Sequence, residues 1–276
     1  MHYRHAFHAG NFADVFKHVL LCGLVLALNR KGAPWTYLET HAGAGGYRLQ
    51  DEAQRTGEFR EGVARLMSVD AAPFALSEWL DVVRKFNRGA ALDAYPGSPW
   101  FVRQLAREQD RLVLCERVEG VFNDLRMLFA ADSTVALHRR DGYELPALLP
   151  PQSKRALVLI DPPFESPTEF EQVATSLIAA RKRFSQGIYA VWYPLKKRFE
   201  ADRFCRRMGR EADRDVLDLR FETGAPGEGQ MRGCGVLIVN PPYRFEEDLA
   251  PALDVLKRVL AQGPSAGWQA QWLNKV

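Results

Sequence analysis

Two short stretches share one chemical pattern. "VLIDPPFESP" spans Val158–Pro167 and "LIVNPPYRFE" spans Leu237–Glu246. Each is an apolar run, then an acid or amide, two prolines and an aromatic ring. Such a set suits a planar exocyclic amine. An adenine amino nitrogen shares its lone pair with the ring and is a poor nucleophile. A carboxylate at Asp161 and the Pro162 carbonyl can each accept one N–H, which aims the amine at an electrophile and favours a pyramidal nitrogen. Pro162 and Pro163 stiffen the loop and remove competing donors. Phe164 can stack on a base, at about 1–3 kcal/mol. The matching chemistry is direct transfer of a methyl group. The motif alone does not separate DNA, RNA and protein glutamine as acceptors, and protein glutamine N5-methylation through NPPY is the rival reading.

The elements that carry the motifs decide between them. Strand-like runs fall at Trp35–Thr40, Leu112–Glu116, Val135–His138, Ala156–Asp161, Ile188–Tyr193, Val216–Phe221 and Cys234–Asn240. The first five are spaced for right-handed helical crossovers. The link "ETGAPGEGQMRG" before the last run is too short for a helix and suits a hairpin. The expected fold is α/β: a Rossmann-like, seven-stranded sheet of five parallel strands plus an antiparallel C-terminal hairpin. Thr40 to Leu112 is too long for one crossover. Residues 47–95 read as a small helical insert subdomain, and 1–46 with 96–276 as the main domain. Ser98 is placed to cap a helix opening at Pro99. In such a sheet the catalytic loop follows strand four, which ends at Asp161. Asn240 ends strand seven, with only residues 241–276 beyond it. DPPF is therefore the catalytic candidate, and NPPY reads as a rigid turn.

Ligands of such sheets sit at the carboxyl ends of the strands. The loop "ETHAGAGG" (39–46) follows strand one; Gly43 and Gly45 permit a tight turn and close approach. It is neither a dinucleotide fingerprint nor a phosphate loop. Glu116 ends strand two and can accept ribose hydroxyls; the alternative is a solvent-facing acid. Asp141-Gly142 follows strand three and can accept an adenine amine while exposing a backbone N–H; the alternative is a plain turn. Together, in this order, they point to S-adenosyl-L-methionine.

The N-terminal "MHYRHAFHAGNFADVFKHVLL" holds four of the six histidines. Asn11 can cap a helix beginning at Phe12, on which Asp14, Lys17 and His18 share a face. The plain reading of that face is a solvated Asp14–Lys17 pair. Tyr3, Arg4 and His5 can stack on bases or meet phosphate. His5 and His8 have no further ligands at metal spacing, so no metal is expected. The longest apolar run, Val19–Leu28, is ten residues, about half of the ~20 that a membrane span needs, so no membrane association is expected. The four cysteines are widely spaced, as reduced thiols of a cytoplasmic protein would be. Net charge is +3 and decides nothing about nucleic acid. Basic clusters occur at Arg181–Arg183, Lys196–Arg198 and Arg206-Arg207. With Glu200, Asp202, Glu211 and Asp213 nearby, they fit phosphate contact and a solvated helix face equally.

The segments "YRHAFHAGNFADVFKH", "THAGAGGY", "YPGSP" and "DPPFE" resemble the bacterial 23S ribosomal RNA adenine-N6 methyltransferase J family, and the resemblance spans nearly the whole chain. It implies a class I methyltransferase with a helical insert, acting as a monomer on protein-free 23S ribosomal RNA. By motif it places His18, His41, Ser98, Glu116, Asp141, Gly142 and Asp161 on the cofactor. It makes Asp161 the catalytic acceptor and sets Tyr3 and Lys17 by the target base. The catalytic ring is Phe164 where relatives often carry Tyr; both stack.

Overall fold

A computed structural model describes residues 4–89, 91–226 and 231–275. In chain order the elements are α1 (Phe12–Asn29), β1 (Thr36–Glu39), β2 (Gly46–Arg48), α2 (Glu52–Thr56), α3 (Val63–Leu66), α4 (Phe74–Phe86), β3 (Ala94–Pro96), α5 (Ser98–Leu105), β4 (Arg111–Cys115) and α6 (Glu119–Leu128). Then follow β5 (Val135–His138), β6 (Ala156–Ile160), α7 (Glu169–Arg183), β7 (Ile188–Pro194), α8 (Arg198–Arg210), β8 (Val216–Glu222), β9 (Gly233–Val239), α9 (Phe245–Leu260) and β10 (Gly267–Asn274).

The main sheet has the order β10-β8-β9-β7-β6-β1-β4-β5. Strands β5, β4, β1, β6 and β7 are parallel neighbours, as expected. β9 returns antiparallel between β7 and β8. The expectation of seven strands is corrected to eight: β10 pairs antiparallel with β8 and covers that edge. Its alternating Trp268, Ala270 and Trp272 pack onto the core. A separate two-stranded ribbon, β2 with β3, brackets the 47–95 segment.

Strand side chains alternate between two buried layers, as the pleat requires. Leu38, Val158, Ile160 and Val191 face the layer with α7 and α8. Tyr37, Leu157, Leu159 and Ala190 face the layer with α1, α4, α5 and α9. α1 lies at the centre of that second layer, against α4, α5, α9 and β9. By length and composition it could cross a membrane, but 78% of it is buried within the fold. The solvated face expected for α1 is therefore wrong. Asp14, Lys17 and His18 are all buried, because the 47–95 segment and the sheet close over them. The expected cap is present: Asn11 Oδ1 accepts the N–H groups of Ala13 and Asp14, both at 3.0 Å.

Candidate active site

β1 lies between β4 and β6, where the strand order reverses, and the crevice beyond their carboxyl ends is the position such sheets use for ligands. The loop after β1 is tied to both neighbours. Thr40 N–H donates to the Leu159 carbonyl at 3.1 Å and Ala42 N–H to the Cys115 carbonyl at 2.8 Å. Gly43 and Gly45 adopt positive φ, at 61° and 76°. Glu116 accepts the N–H groups of Gly43 at 3.1 Å and Val118 at 2.7 Å. Asp141 accepts from the Tyr143 N–H at 3.0 Å and from Arg117 at 3.3 Å. Gly142 passes so close beneath β1 that a Cβ there would lie 2.1 Å from the Thr40 carbonyl oxygen. The three predicted carboxyl-end features thus converge on one loop.

Asp161 follows β6 and meets α1. Lys17 Nζ donates to Asp161 Oδ2 at 2.6 Å and lies 3.1 Å from Asp14 Oδ1. Asp14 Oδ2 accepts the Gly10 N–H and hydrogen-bonds His5 Nε2, each at 3.0 Å. Burial pulls Asp14 upward, but His5 and Lys17 beside it hold its carboxyl well below the usual range. Asp161 Oδ1 has no hydrogen bond among the described residues. Phe164 takes a left-handed backbone, φ 50°, and its ring sits 4.8 Å from Phe170 and 5.9 Å from Trp192. The Lys17 ammonium lies 6.0 Å from the Trp192 ring.

Ser98 corrects one expectation. Gly97 occupies the cap position of α5, and Ser98 is the first helical residue. Its buried hydroxyl donates to Glu39 Oε1, while Tyr37 donates to Glu39 Oε2 at 2.9 Å. Burial pushes Glu39 up to about 8, against the pull of those two hydrogen bonds. His18 Nδ1 hydrogen-bonds the Tyr95 hydroxyl at 2.9 Å, but its buried Nε2 has no partner among the described residues. Burial, reinforced by Lys17, keeps this ring neutral, well below the usual histidine range. His41 hydrogen-bonds Thr40 Oγ1 at 2.7 Å and stands edge-on to Tyr143; burial lowers it despite Asp161 nearby. Tyr3 lies outside the described residues.

NPPY is elsewhere. Because β9 is antiparallel, its last residue Val239 sits beside Tyr189, near the start of β7. Asn240 Nδ2 donates to the carbonyls of Gln186 at 3.0 Å and Gly187 at 3.3 Å. This is the opposite end of the sheet from Asp161.

The family model "Ribosomal RNA large subunit methyltransferase D, RlmJ" matches residues 32–274. The chain belongs to this family. It is 39% identical to the ribosomal RNA large subunit methyltransferase J of Escherichia coli K12, over 98% of both chains. It is 33% identical to that of Haemophilus influenzae Rd, over 99% of this chain and 98% of the relative. A crystal structure of a Legionella pneumophila protein, 36% identical, superposes with a TM-score of 0.90 over 96% of this chain and 98% of its own. The chain is thus a methyltransferase of large-subunit ribosomal RNA with a class I fold, and membership implies a methyl donor of the S-adenosylmethionine type.

Within this methyltransferase, several residues escaped the sequence reading. Glu39 was quoted only as the start of a glycine loop, and an acid ending an apolar strand was its signal. Tyr95, partner of His18, stood only within the segment "YPGSP" and had no role of its own. Trp192, which packs near both Phe164 and Lys17, carried no signal, because a strand aromatic is ordinarily core.

Proposed function

We propose that this enzyme methylates the N6 amine of an adenine in 23S ribosomal RNA, with Asp161 as the catalytic acceptor. The observation that carries the reading is the open Oδ1 of Asp161. It stands beside the β1–β4–β6 crevice, with Lys17 occupying the other oxygen. Residues of the crevice suit S-adenosyl-L-methionine. The buried, unpartnered His18 Nε2 is a group that a ligand atom would satisfy, relieving about 1–3 kcal/mol of lost hydrogen bonding. Glu116 has spent one bond per oxygen on backbone N–H groups. A carboxylate offers about four lone-pair sites, so it retains capacity for ribose hydroxyls. Asp141 and Gly142 serve the adenine end, and His41, Ser98 and Asp161 complete the set.

When bound, the cofactor supplies a methyl group activated by a sulfonium. Asp161 Oδ1 and the Pro162 carbonyl accept the two amine N–H groups, orienting the nitrogen lone pair at that carbon. The C–N bond forms as the C–S bond breaks. The extra proton then leaves the methylated amine, directly or through Asp161. Phe164 stacks on the base, and Lys17 flanks it. Lys17 also fixes the Asp161 rotamer. An unpaired base reaches this site at low cost, since nothing need be extruded from a duplex. In the same reading the substrate is protein-free RNA, the enzyme is a cytoplasmic monomer, and 47–95 is an insert subdomain. Glutamine methylation through NPPY loses its support, since Asn240 stands at the far end of the sheet.

The test is to incubate the protein with labelled S-adenosylmethionine and transcribed 23S RNA, then digest the RNA and identify the labelled nucleoside. N6-methyladenosine is expected. Label on another base position, or label on release-factor protein and none on RNA when that protein is supplied in a parallel incubation, would overturn the reading.

A further inference from the structure

The basic clusters of the sequence separate once each charge is matched to its neighbours. Arg181 is buried and held by Asp213 and the Glu211 carbonyl. Arg207 is taken by Glu171 and Glu211. Lys197 pairs with Glu200, Arg198 with Glu222, and Asp202 with Arg220. The four acids that complicated the sequence reading are therefore all engaged. Among the described residues, Lys196, Arg203, Arg206 and Arg210 are exposed and have no ion pair or hydrogen bond.

Three of these four share one face of α8. Phe199, Arg203, Arg206 and Arg210 follow the i, i+4, i+7, i+11 spacing that puts side chains on one helical stripe. Phe199 heads the stripe and is 73% exposed, unusual for a ring with no structural task. The stripe runs about 16 Å along α8 at ~1.5 Å per residue. It starts at the catalytic edge. Val191 pairs with Ile160, so Trp192 lies beside Asp161, and Lys196 follows within about 13 Å at ~3.3 Å per residue.

We propose that this face of α8, with Lys196 in the turn just before it, holds the phosphodiester backbone of the RNA flanking the target base, with Phe199 as a stacking platform. Charge complementarity and continuity with the catalytic edge fit an RNA strand. The inference rests on the RNA-methylation reading and adds where the substrate docks.

The test compares Arg203→Ala/Arg206→Ala/Arg210→Ala, Phe199→Ala and Arg207→Ala with the wild type. It uses transcribed 23S RNA at several salt concentrations. The triple variant should raise KM roughly tenfold, as three exposed charge contacts of modest strength would. Its log–log salt slope for RNA binding should fall by about 2, at ~0.7 per single-strand phosphate contact. Its kcat at saturating RNA, its affinity for S-adenosylmethionine and its melting temperature should not move. Phe199→Ala should raise KM about fivefold or more, as loss of one stacked base does, without changing the slope. Arg207→Ala should change neither. A triple variant with wild-type KM and slope overturns the proposal. So does an Arg207→Ala effect as large as that of the triple. RNA retention on filters is read separately from transfer: stripe-dependent binding without N6-methyladenosine would break the catalytic reading alone.

Discussion

DPPF and NPPY are nearly the same four-residue motif placed at opposite ends of one sheet. Both follow an apolar strand, and both contain a residue with positive φ, Phe164 at 50° and Asn240 at 57°. Their surroundings differ in every respect that matters for chemistry. Asp161 ends a parallel strand beside the switch point, and a buried ammonium from α1 occupies one of its oxygens. Asn240 follows the reversed strand β9, and its amide is spent on two backbone carbonyls. Phe164 is packed among Phe170 and Trp192, whereas Tyr243 is 87% exposed. A motif carries chemistry only at the end of the sheet where a crevice opens, and strand direction decides which end that is.

The largest contrast should come from Lys17. It bridges two carboxylates whose side chains are 4% and 14% exposed. Lys17→Met leaves those buried charges without their shared cation, which should destabilise the fold by about 3 kcal/mol or more in urea unfolding. No substitution of the NPPY corner removes a comparable partner. A loss under 1 kcal/mol would show that the bridge is not formed in solution.

Ring truncation sharpens the comparison at the level of substrate. Phe164→Ala should weaken transfer to RNA by about 1–3 kcal/mol, or roughly five- to 150-fold in kcat/KM. Tyr243→Ala, an exposed ring at the far corner, should leave kcat/KM within twofold, a shift of about 0.4 kcal/mol. Equal losses would erase the distinction between the motifs.

A smaller effect concerns Glu39, the last residue of β1 before the crevice loop. Its folded value, about 8, lies above the ordinary 4.5. A raised acid contributes stability below its unfolded value, and that contribution is lost as pH rises through the folded value. Between pH 5 and 9 the melting temperature of the wild type should therefore fall relative to that of Glu39→Gln. A difference that does not change with pH would place Glu39 in a more polar setting than the structure shows.

Much of this site was readable from residue order. Counting strands separated DPPF from NPPY, and Gly43, Glu116 and Asp141 fell after successive strands, as a parallel sheet requires. The missed parts share a cause: they depend on what closes over an element rather than on the element itself. Asp14, Lys17 and His18 share one stripe of α1, and nothing local reveals that the 47–95 segment buries it. Ser98 has the type and position of a cap, yet its hydroxyl is drawn to Glu39, 59 residues earlier. β10 is a different case: Trp268, Ala270 and Trp272 alternate with Gln269 and Gln271, the pattern of a half-buried strand, and the strand reading stopped short of it at Asn240.

The account depends most on which Pro-Pro corner does the transfer. Tritium incorporation from labelled S-adenosylmethionine into transcribed 23S RNA, run in parallel with Asp161→Ala and Asn240→Ala, addresses this directly. Asp161→Ala should lower incorporation by about 10³-fold or more, roughly 4 kcal/mol of transition-state stabilisation, with its circular dichroism spectrum unchanged. Asn240→Ala should stay within a fewfold of the wild type. Near-normal incorporation by folded Asp161→Ala, or its abolition by folded Asn240→Ala, would contradict the account.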